Sequence, residues 1–97
     1  KNYLTARRLE IEAARILAER MAADGRIEAE VLPRTMARLA LSLRKAAVRR
    51  ELAEECPTLD EIRIAWAVEE AAGRLHVQQA PQLLLESARR ICRRLTA

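Results

Sequence analysis

The sequence predicts an all-α domain, and three observations support this prediction. Ala, Leu, Arg and Glu, which all favour helices, dominate the 97 residues. Strand formers and turn residues are scarce, since the chain has no Phe, one Trp, one Tyr, two Gly and three Pro. Apolar residues also recur at helical spacing in four segments separated by short breaks. We therefore expect a compact four-helix bundle with short connections, in which residues 1–97 form a single helical domain.

The first predicted helix covers residues 4–23, and its apolar stripe is unusually wide. A stripe of this width predicts contact with two neighbours. Gly25, in the segment "ADGR", suits the left-handed position that ends a helix. The stripe consists of Leu9, Ala13, Ile16, Leu17 and Met21, and is widened by Ile11, Ala14 and Ala18.

The second predicted helix covers residues 34–55 and has an apolar and a basic side. The preceding segment "IEAEVL" is interpreted as a connector or a short helical turn, and Pro33 suits the first turn of a helix. The basic side is a stripe of Arg34, Arg38, Ser42, Lys45 and Arg49. The predicted core face consists of Met36, Leu39, Leu43, Ala46 and Ala47.

The third and fourth predicted helices follow clear start signals. In "CPTLDEI", Thr58 and Glu61 have the spacing of a capping box, which predicts a helix from residue 59 to at least 72. Pro81 starts the last helix, over residues 81–95. The inner residues of the third helix are predicted to be Ile62, Ala65, Trp66, Val68, Ala72 and Leu75. Those of the fourth are Leu84, Ala88, Ile91, Cys92 and Leu95.

Arginine supplies most of the positive charge and is concentrated on two predicted faces. Lys and Arg total 18 against 14 Asp and Glu, a formal charge of +4. Such faces either neutralise a nucleic-acid backbone or are solvated and paired with nearby glutamates, and both interpretations stay open. The predicted nucleic-acid or anion-binding residues are Arg34, Arg38, Lys45, Arg49, Arg89, Arg90, Arg93 and Arg94.

The motifs of catalysis and cofactor binding do not occur in the sequence, so we predict no catalytic residue, no metal ligand and no cofactor. His76 is the single histidine, and Cys56 and Cys92 stand in no CxxC pattern. Two isolated glycines cannot form a phosphate-binding loop. The shortage of aromatic residues argues against RRM-like or OB-like single-strand binders. These observations favour a protein that is not an enzyme.

Surplus apolar residues predict a protein partner. A small domain with apolar surface on several sides of its helices is usually covered by another chain. Trp66 fits either a core anchor or an interface hot spot. We therefore predict an assembly subunit, in a homodimer or a larger complex, with nucleic acid as a further partner. The predicted interface residues are Trp66, Leu41, Val48 and Leu52.

The sequence also predicts a cytoplasmic setting. No apolar run approaches the roughly 18 residues of a membrane span, and the chain shows no signal-peptide pattern. Two widely separated cysteines do not form a disulfide scaffold, which is typical of a reducing compartment.

The segments "PRTMARLALSLRKAAVRREL" and "PTLDEIRIA" carry one family resemblance. Together they resemble the C-terminal helical lid of AAA+ ATPases, especially the MCM and MoxR-like groups. The resemblance covers about a third of the chain. It implies that Arg34 matches the nucleotide-sensing Arg, and that Thr58 and Asp60 match the Thr and the acidic residue of the following helix. The sequence has no Walker motif, so the resemblance implies a lid and not an ATPase.

A second resemblance implies an enzyme. The segments "ILAERMAADGRI" and "RRELAEECPTLDEIRIAWAVEEAAGRLHVQQ" are similar in helical rhythm and length to the AroQ-type chorismate mutases. In that family, cationic residues on long helices hold a dicarboxylate and stabilise its pericyclic transition state. The resemblance implies Arg20 as one such cation and Gln78 or Gln79 as the late polar residue. The sequence departs from the pattern at Val31, where the family places a Lys.

Overall fold

A computed structural model of the chain describes residues 3–75 and 80–97. This part of the chain is all-α, as the sequence predicts, with four α-helices, short connections and no strand. A 3₁₀ turn over Ala29–Val31 precedes the second helix, and another over Pro81–Leu83 precedes the fourth. The helices are α1 (Tyr3–Ala23), α2 (Leu32–Glu55), α3 (Glu61–Leu75) and α4 (Leu84–Thr96).

The chain divides into two compact units, Lys1–Arg44 and Lys45–Ala97. The boundary falls inside α2, so the first half of this helix belongs to one unit and its second half to the other. In the first unit, an ion pair between Glu10 and Arg44 joins α1 to the first half of α2. In the second unit, α3 and α4 pack on each other and make ion pairs with the second half of α2.

Gly25 ends α1 in the way the sequence predicts. Its φ of 73° lies in the left-handed region. The Gly25 amide donates to the Ala22 carbonyl at 3.1 Å, and the Arg26 amide donates to the Met21 carbonyl at 2.9 Å. These two bonds define a Schellman motif, which satisfies carbonyls that the end of a helix leaves without partners.

The predicted apolar stripe of α1 is only partly buried, since its alanines lie in the core and its bulky residues do not. The bulky residues Leu9 and Ile16 are 68% and 47% exposed, and Leu17 is exposed as well, whereas Ala14 and Ala18 are fully buried. Alanine faces the core because its small side chain lets two helix backbones approach closely. The core therefore lies on the Ala14 and Ala18 side of the predicted stripe and not on its bulky residues.

Packing in the second unit confirms the inner face of α4 and corrects that of α3. Four of the five predicted α4 residues are buried, and Leu95 is exposed. On α3, Val68 is buried as predicted, but Ile62 and Trp66 are exposed. The inner stripe instead repeats at i, i+3, i+4 and i+7, which is the pattern of one helix face. It consists of Ile64, Ala67, Val68 and Ala71.

The start of α3 also differs from the prediction. The helix begins at Glu61, and the Oδ1 atom of Asp60 accepts a hydrogen bond of 2.8 Å from the Arg63 amide. Asp60 is therefore the N-cap, and the Thr58–Glu61 capping box is wrong by two residues because Thr58 lies outside the first turn. Leu59 and Ile64, both buried, occupy the two positions of a hydrophobic staple around this cap.

Candidate interaction surfaces

Two of the predicted anion-binding cations are engaged by carboxylates in the second unit. The Lys45 ammonium lies 2.9 Å from Glu69 Oε1. Arg89 donates from Nε and Nη2 to the two carboxylate oxygens of Glu55, at 2.7 and 2.8 Å. Both cations therefore have a partner inside the chain, which favours the paired interpretation of the basic stripes for these positions.

Arg89 is the centre of an ion-pair cluster between α2 and α4. Besides Glu55, its guanidinium contacts Glu86 at 3.2 Å and Glu51 at 3.7 Å. The hydrogen bond from Arg89 is the main cause that lowers the pKa of Glu55, and the Glu55 hydrogen bond raises the pKa of Arg89. Because the bidentate pair joins two helices, Arg89 stabilises the packing of α4 and has little capacity left for an external anion.

The other predicted cations of α4 form an exposed surface. Arg90, Arg93 and Arg94 are exposed and lie away from the buried stripe of the helix. Within the described residues, none of the three makes an ion pair at contact distance. Arg93 also lines an open groove of about 670 Å³ together with Thr58 and Thr96. These three arginines retain the chemistry needed to contact phosphates.

The predicted cations of α2 are divided between the two units. Arg34 and Arg38 are exposed in the first unit, and Arg34 lies in the first turn of α2. In the second unit, Arg49 is half-buried and lines an open groove of about 440 Å³ with Arg50 and Glu61. The floor of this groove is apolar and consists of Ala46, Ala53, Ile64 and Ala65.

The four predicted interface residues separate into buried and exposed groups. Val48 and Leu52 are 2% and 0% exposed, so their assignment to an interface is corrected, and they belong to the core. They are buried because this side of α2 faces the other helices of its unit. Leu41 is half-buried, whereas Trp66 is 52% exposed and lies one turn from the exposed Ile62. Trp66 and Ile62 together form an apolar patch on α3.

One surface of α1 that the sequence pattern predicts to be core is exposed. We name it the outer face of α1, and define it by Leu9, Ala13, Ile16 and Leu17. Leu9 and Ile16 are seven residues apart, close to two full turns, so they lie above one another on this face. Ala13 is half-buried and Leu17 is exposed at its edge. The wide apolar stripe of the sequence therefore includes residues that are exposed in the structure.

A partly buried ion pair fixes how α1 sits on the first half of α2. Arg44 Nε donates to Glu10 Oε1 at 3.1 Å, and Arg44 Nη2 lies 2.8 Å from Oε2. The second contact is an ion pair without the angle of a hydrogen bond, and the buried Nη2 has no hydrogen-bond partner. The Arg44 guanidinium also lies 4.9 Å from the Tyr3 ring centroid, a cation–π contact. This arrangement turns the outer face of α1 away from α2.

The two thiols of the chain interact, although the sequence places them far apart. Cys92 is buried and Cys56 half-buried, and neither is in a disulfide. Burial raises the pKa of the Cys92 thiol, and the Cys56 side chain and the Glu55 charge raise it further. Because the thiolate is the reactive form, a raised pKa makes Cys92 a poor nucleophile at neutral pH.

Other site chemistry is limited in the part of the chain that the structure describes. No cluster of three or more His, Cys, Asp or Glu side chains there could bind a metal ion. None of the helices there has the combination of length and apolar character that crossing a membrane requires. His76, Gln78 and Gln79 lie outside the described residues. Arg20, the cation implied by the mutase resemblance, is exposed near the end of α1.

Comparison with protein-family models, with curated proteins and with solved structures finds no match to this chain. The AAA+ lid and the chorismate mutase therefore stay predictions from the sequence.

Proposed function

We propose that this chain is a non-enzymatic assembly subunit that binds another protein chain through an exposed apolar helix face. The observation that carries the proposal is the exposure of Leu9 and Ile16 on the outer face of α1. Full burial of such a side chain contributes about 1.5–3 kcal/mol. An assembly that covers both residues therefore gains a substantial stabilisation.

The exposed apolar residues are grouped on the surface. Isolated exposed leucines are normal on soluble proteins, but contiguous apolar patches mark interaction sites. Leu9, Ile16 and Leu17 share one side of α1, and Trp66 and Ile62 share one side of α3. The two free thiols are consistent with assembly in a reducing compartment such as the cytoplasm.

Nucleic acid is a second candidate partner, favoured by the arginine surface of α4. Arg90, Arg93 and Arg94 are exposed and not engaged in ion pairs among the described residues. Phosphate contacts by such residues give an affinity that falls steeply with salt, since each contact releases counterions. The nucleic-acid surface in this proposal is smaller than the one the sequence predicts, because Arg89 and Lys45 pair with glutamates.

Size-exclusion chromatography with light scattering tests both candidates. We expect a mass above the 11.0 kDa of one chain that rises with protein concentration. A short DNA duplex, added at low and at high salt, tests the arginine surface in the same experiment. A mass of one chain at every concentration would contradict self-association, and the lack of any salt-dependent shift would contradict nucleic-acid binding.

A further inference from the structure

We infer that the outer face of α1 binds the same face of a second copy of this chain, with the two helices antiparallel. This inference rests on the proposed assembly function, and it names the partner and the geometry. Three observations carry it: the placement of apolar residues on α1, the order of charges beside them, and the ion pair that turns this face outward.

In an antiparallel pair, the apolar residues of the outer face lie opposite the apolar residues of the second copy. If Leu9 lies level with Ile16 of a second copy, then Ile16 lies level with Leu9 of that copy, as a two-fold axis requires. Ala13 lies close to this axis, where a small side chain lets the two helix backbones approach. The large and small residues therefore alternate along the contact, which is the arrangement that fills a helix–helix interface.

The charges on one flank of the outer face are also self-complementary. Arg8, Glu12, Arg15 and Glu19 follow one another at helical spacing with alternating sign. In an antiparallel pair related by a two-fold axis, this flank meets the same flank of the second copy. Arg8 then faces Glu19 and Glu12 faces Arg15, so that all four positions meet an opposite charge.

A parallel pair would lose this complementarity. Its two-fold axis runs along the helices, which places the two charged flanks on opposite sides of the contact. The four charges would then meet no equivalent flank. Within one copy, Arg15 contacts Glu12 and lies 2.7 Å from Glu19, which shows that these three side chains lie on one flank of the helix.

The Arg44–Glu10 ion pair keeps the outer face available. Glu10 and Arg7 lie on the side of α1 that faces α2, and their side chains are mostly buried. Because Glu10 is held by Arg44, α1 cannot rotate to bury Leu9 and Ile16 against α2 without breaking this contact. The apolar face therefore depends on a second chain for its burial.

A matched pair of variants tests the surface. Ile16→Ser and Ile11→Ser change the same residue type on the same helix, at exposures of 47% and 45%. Ile11 lies about 140° round the helix from Ile16, away from the outer face. We expect Ile16→Ser to raise the dimer dissociation constant at least tenfold and Ile11→Ser to change it less than threefold, by sedimentation equilibrium. Circular dichroism checks that both variants stay folded.

Cysteine cross-linking of the full chain tests the orientation. In a background with Cys56→Ser and Cys92→Ala, a mixture of Leu9→Cys and Ile16→Cys chains is expected to form a mixed disulfide dimer under oxidised glutathione. Leu9→Cys alone is expected to stay uncross-linked, since two copies of residue 9 are offset by about 10 Å along the helices, and disulfides need Cα atoms within about 7 Å.

The outcomes separate this inference from the proposed function. A dimer in which Leu9→Cys cross-links to itself would be parallel and would overturn the inference alone. Equal effects of Ile16→Ser and Ile11→Ser on a dimer would also overturn it, because another surface would then carry the assembly. A wild-type chain that stays a monomer at all concentrations would overturn both the inference and self-assembly.

Discussion

Arg44 and Glu10 join α1 to the first half of α2 through two contacts between guanidinium and carboxylate. Both side chains are close to nine-tenths buried, at 11% and 12% exposure. The Arg44 guanidinium also lies over the Tyr3 ring, 4.9 Å from its centroid. The net contribution of a buried ion pair to the free energy of unfolding is small, because both charges lose their hydration. Removing one partner costs more, because the remaining charge is then buried and poorly solvated.

Replacing Arg44 tests this asymmetry. We expect Arg44→Ala to lower the free energy of unfolding by about 3 kcal/mol, since it leaves the buried Glu10 carboxylate with only the Arg7 guanidinium at 4.0 Å. The double variant Arg44→Met with Glu10→Leu, which keeps the volume and removes both charges, should lose less. Urea unfolding measures both variants. A single variant as stable as the wild type would mean that Glu10 is solvated in solution.

The Arg89–Glu55 pair predicts a stability change in acid. Arg89 lowers the pKa of Glu55 in the folded protein. The pair therefore contributes its full stability above the ordinary Glu pKa of about 4.3, and this contribution is lost as the pH falls through the lower pKa of the folded state. Because Glu55 is about a third exposed, solvent screening limits the contribution to about 1 kcal/mol.

Unfolding experiments at neutral and acid pH check this prediction. We expect Glu55→Gln to be less stable than the wild type at pH 7, and the difference to shrink as the pH falls below about 4. Glu54→Gln is the control, since Glu54 is exposed and makes no ion pair within the described residues. A difference for Glu55→Gln that does not depend on pH would contradict the ion-pair explanation.

The start of α3 gives a prediction that separates the observed cap from the predicted one. Removing the Asp60 carboxylate frees the Arg63 amide, so Asp60→Ala should cost about 1 kcal/mol. Thr58→Ala should stay within about 0.5 kcal/mol of the wild type, because Thr58 is exposed and lies outside the helix. Thermal unfolding compares the stability of the two variants. A Thr58→Ala variant less stable than Asp60→Ala would support the Thr58–Glu61 capping box instead.

The two glycines should respond oppositely to the same substitution. Gly25→Ala forces a side chain into the left-handed region and should destabilise by about 1–2 kcal/mol. Gly73 lies within α3, and an added Cβ there meets nothing within 4 Å. Gly73→Ala should therefore stabilise by up to about 1 kcal/mol. A stabilising Gly25→Ala in thermal unfolding would contradict the Schellman end of α1.

The sequence predicts the type and number of helices well because composition and breaks decide them. Gly25 ends α1 in the left-handed conformation that glycine favours, and Pro81 opens a 3₁₀ turn that leads directly into α4. The α3 boundary is less certain from sequence, since Thr58 and Asp60 both suit a cap and only the turn geometry selects Asp60.

Helix orientation and charge pairing depend on tertiary structure. On α1 the pattern favours Leu9 and Ile16 for the core, yet Ala14 and Ala18 are the residues that are fully buried. In the sequence, Arg89 is one of four closely spaced arginines and nothing distinguishes it from the others. Its ion pair is evident only in the structure, where α4 brings it next to Glu55. For these reasons, several residues predicted to be in the core are exposed, and two predicted at an interface are buried.

We predict that the outer face of α1 is an interface between two copies of this chain. Sedimentation equilibrium of the wild type beside Ile16→Ser measures this contact. We predict a wild-type mass of twice 11.0 kDa that falls toward that of one chain in the variant, while Ile11→Ser keeps the wild-type mass. A wild type of one chain at every concentration, or an Ile16→Ser dimer as tight as the wild type, would contradict the account.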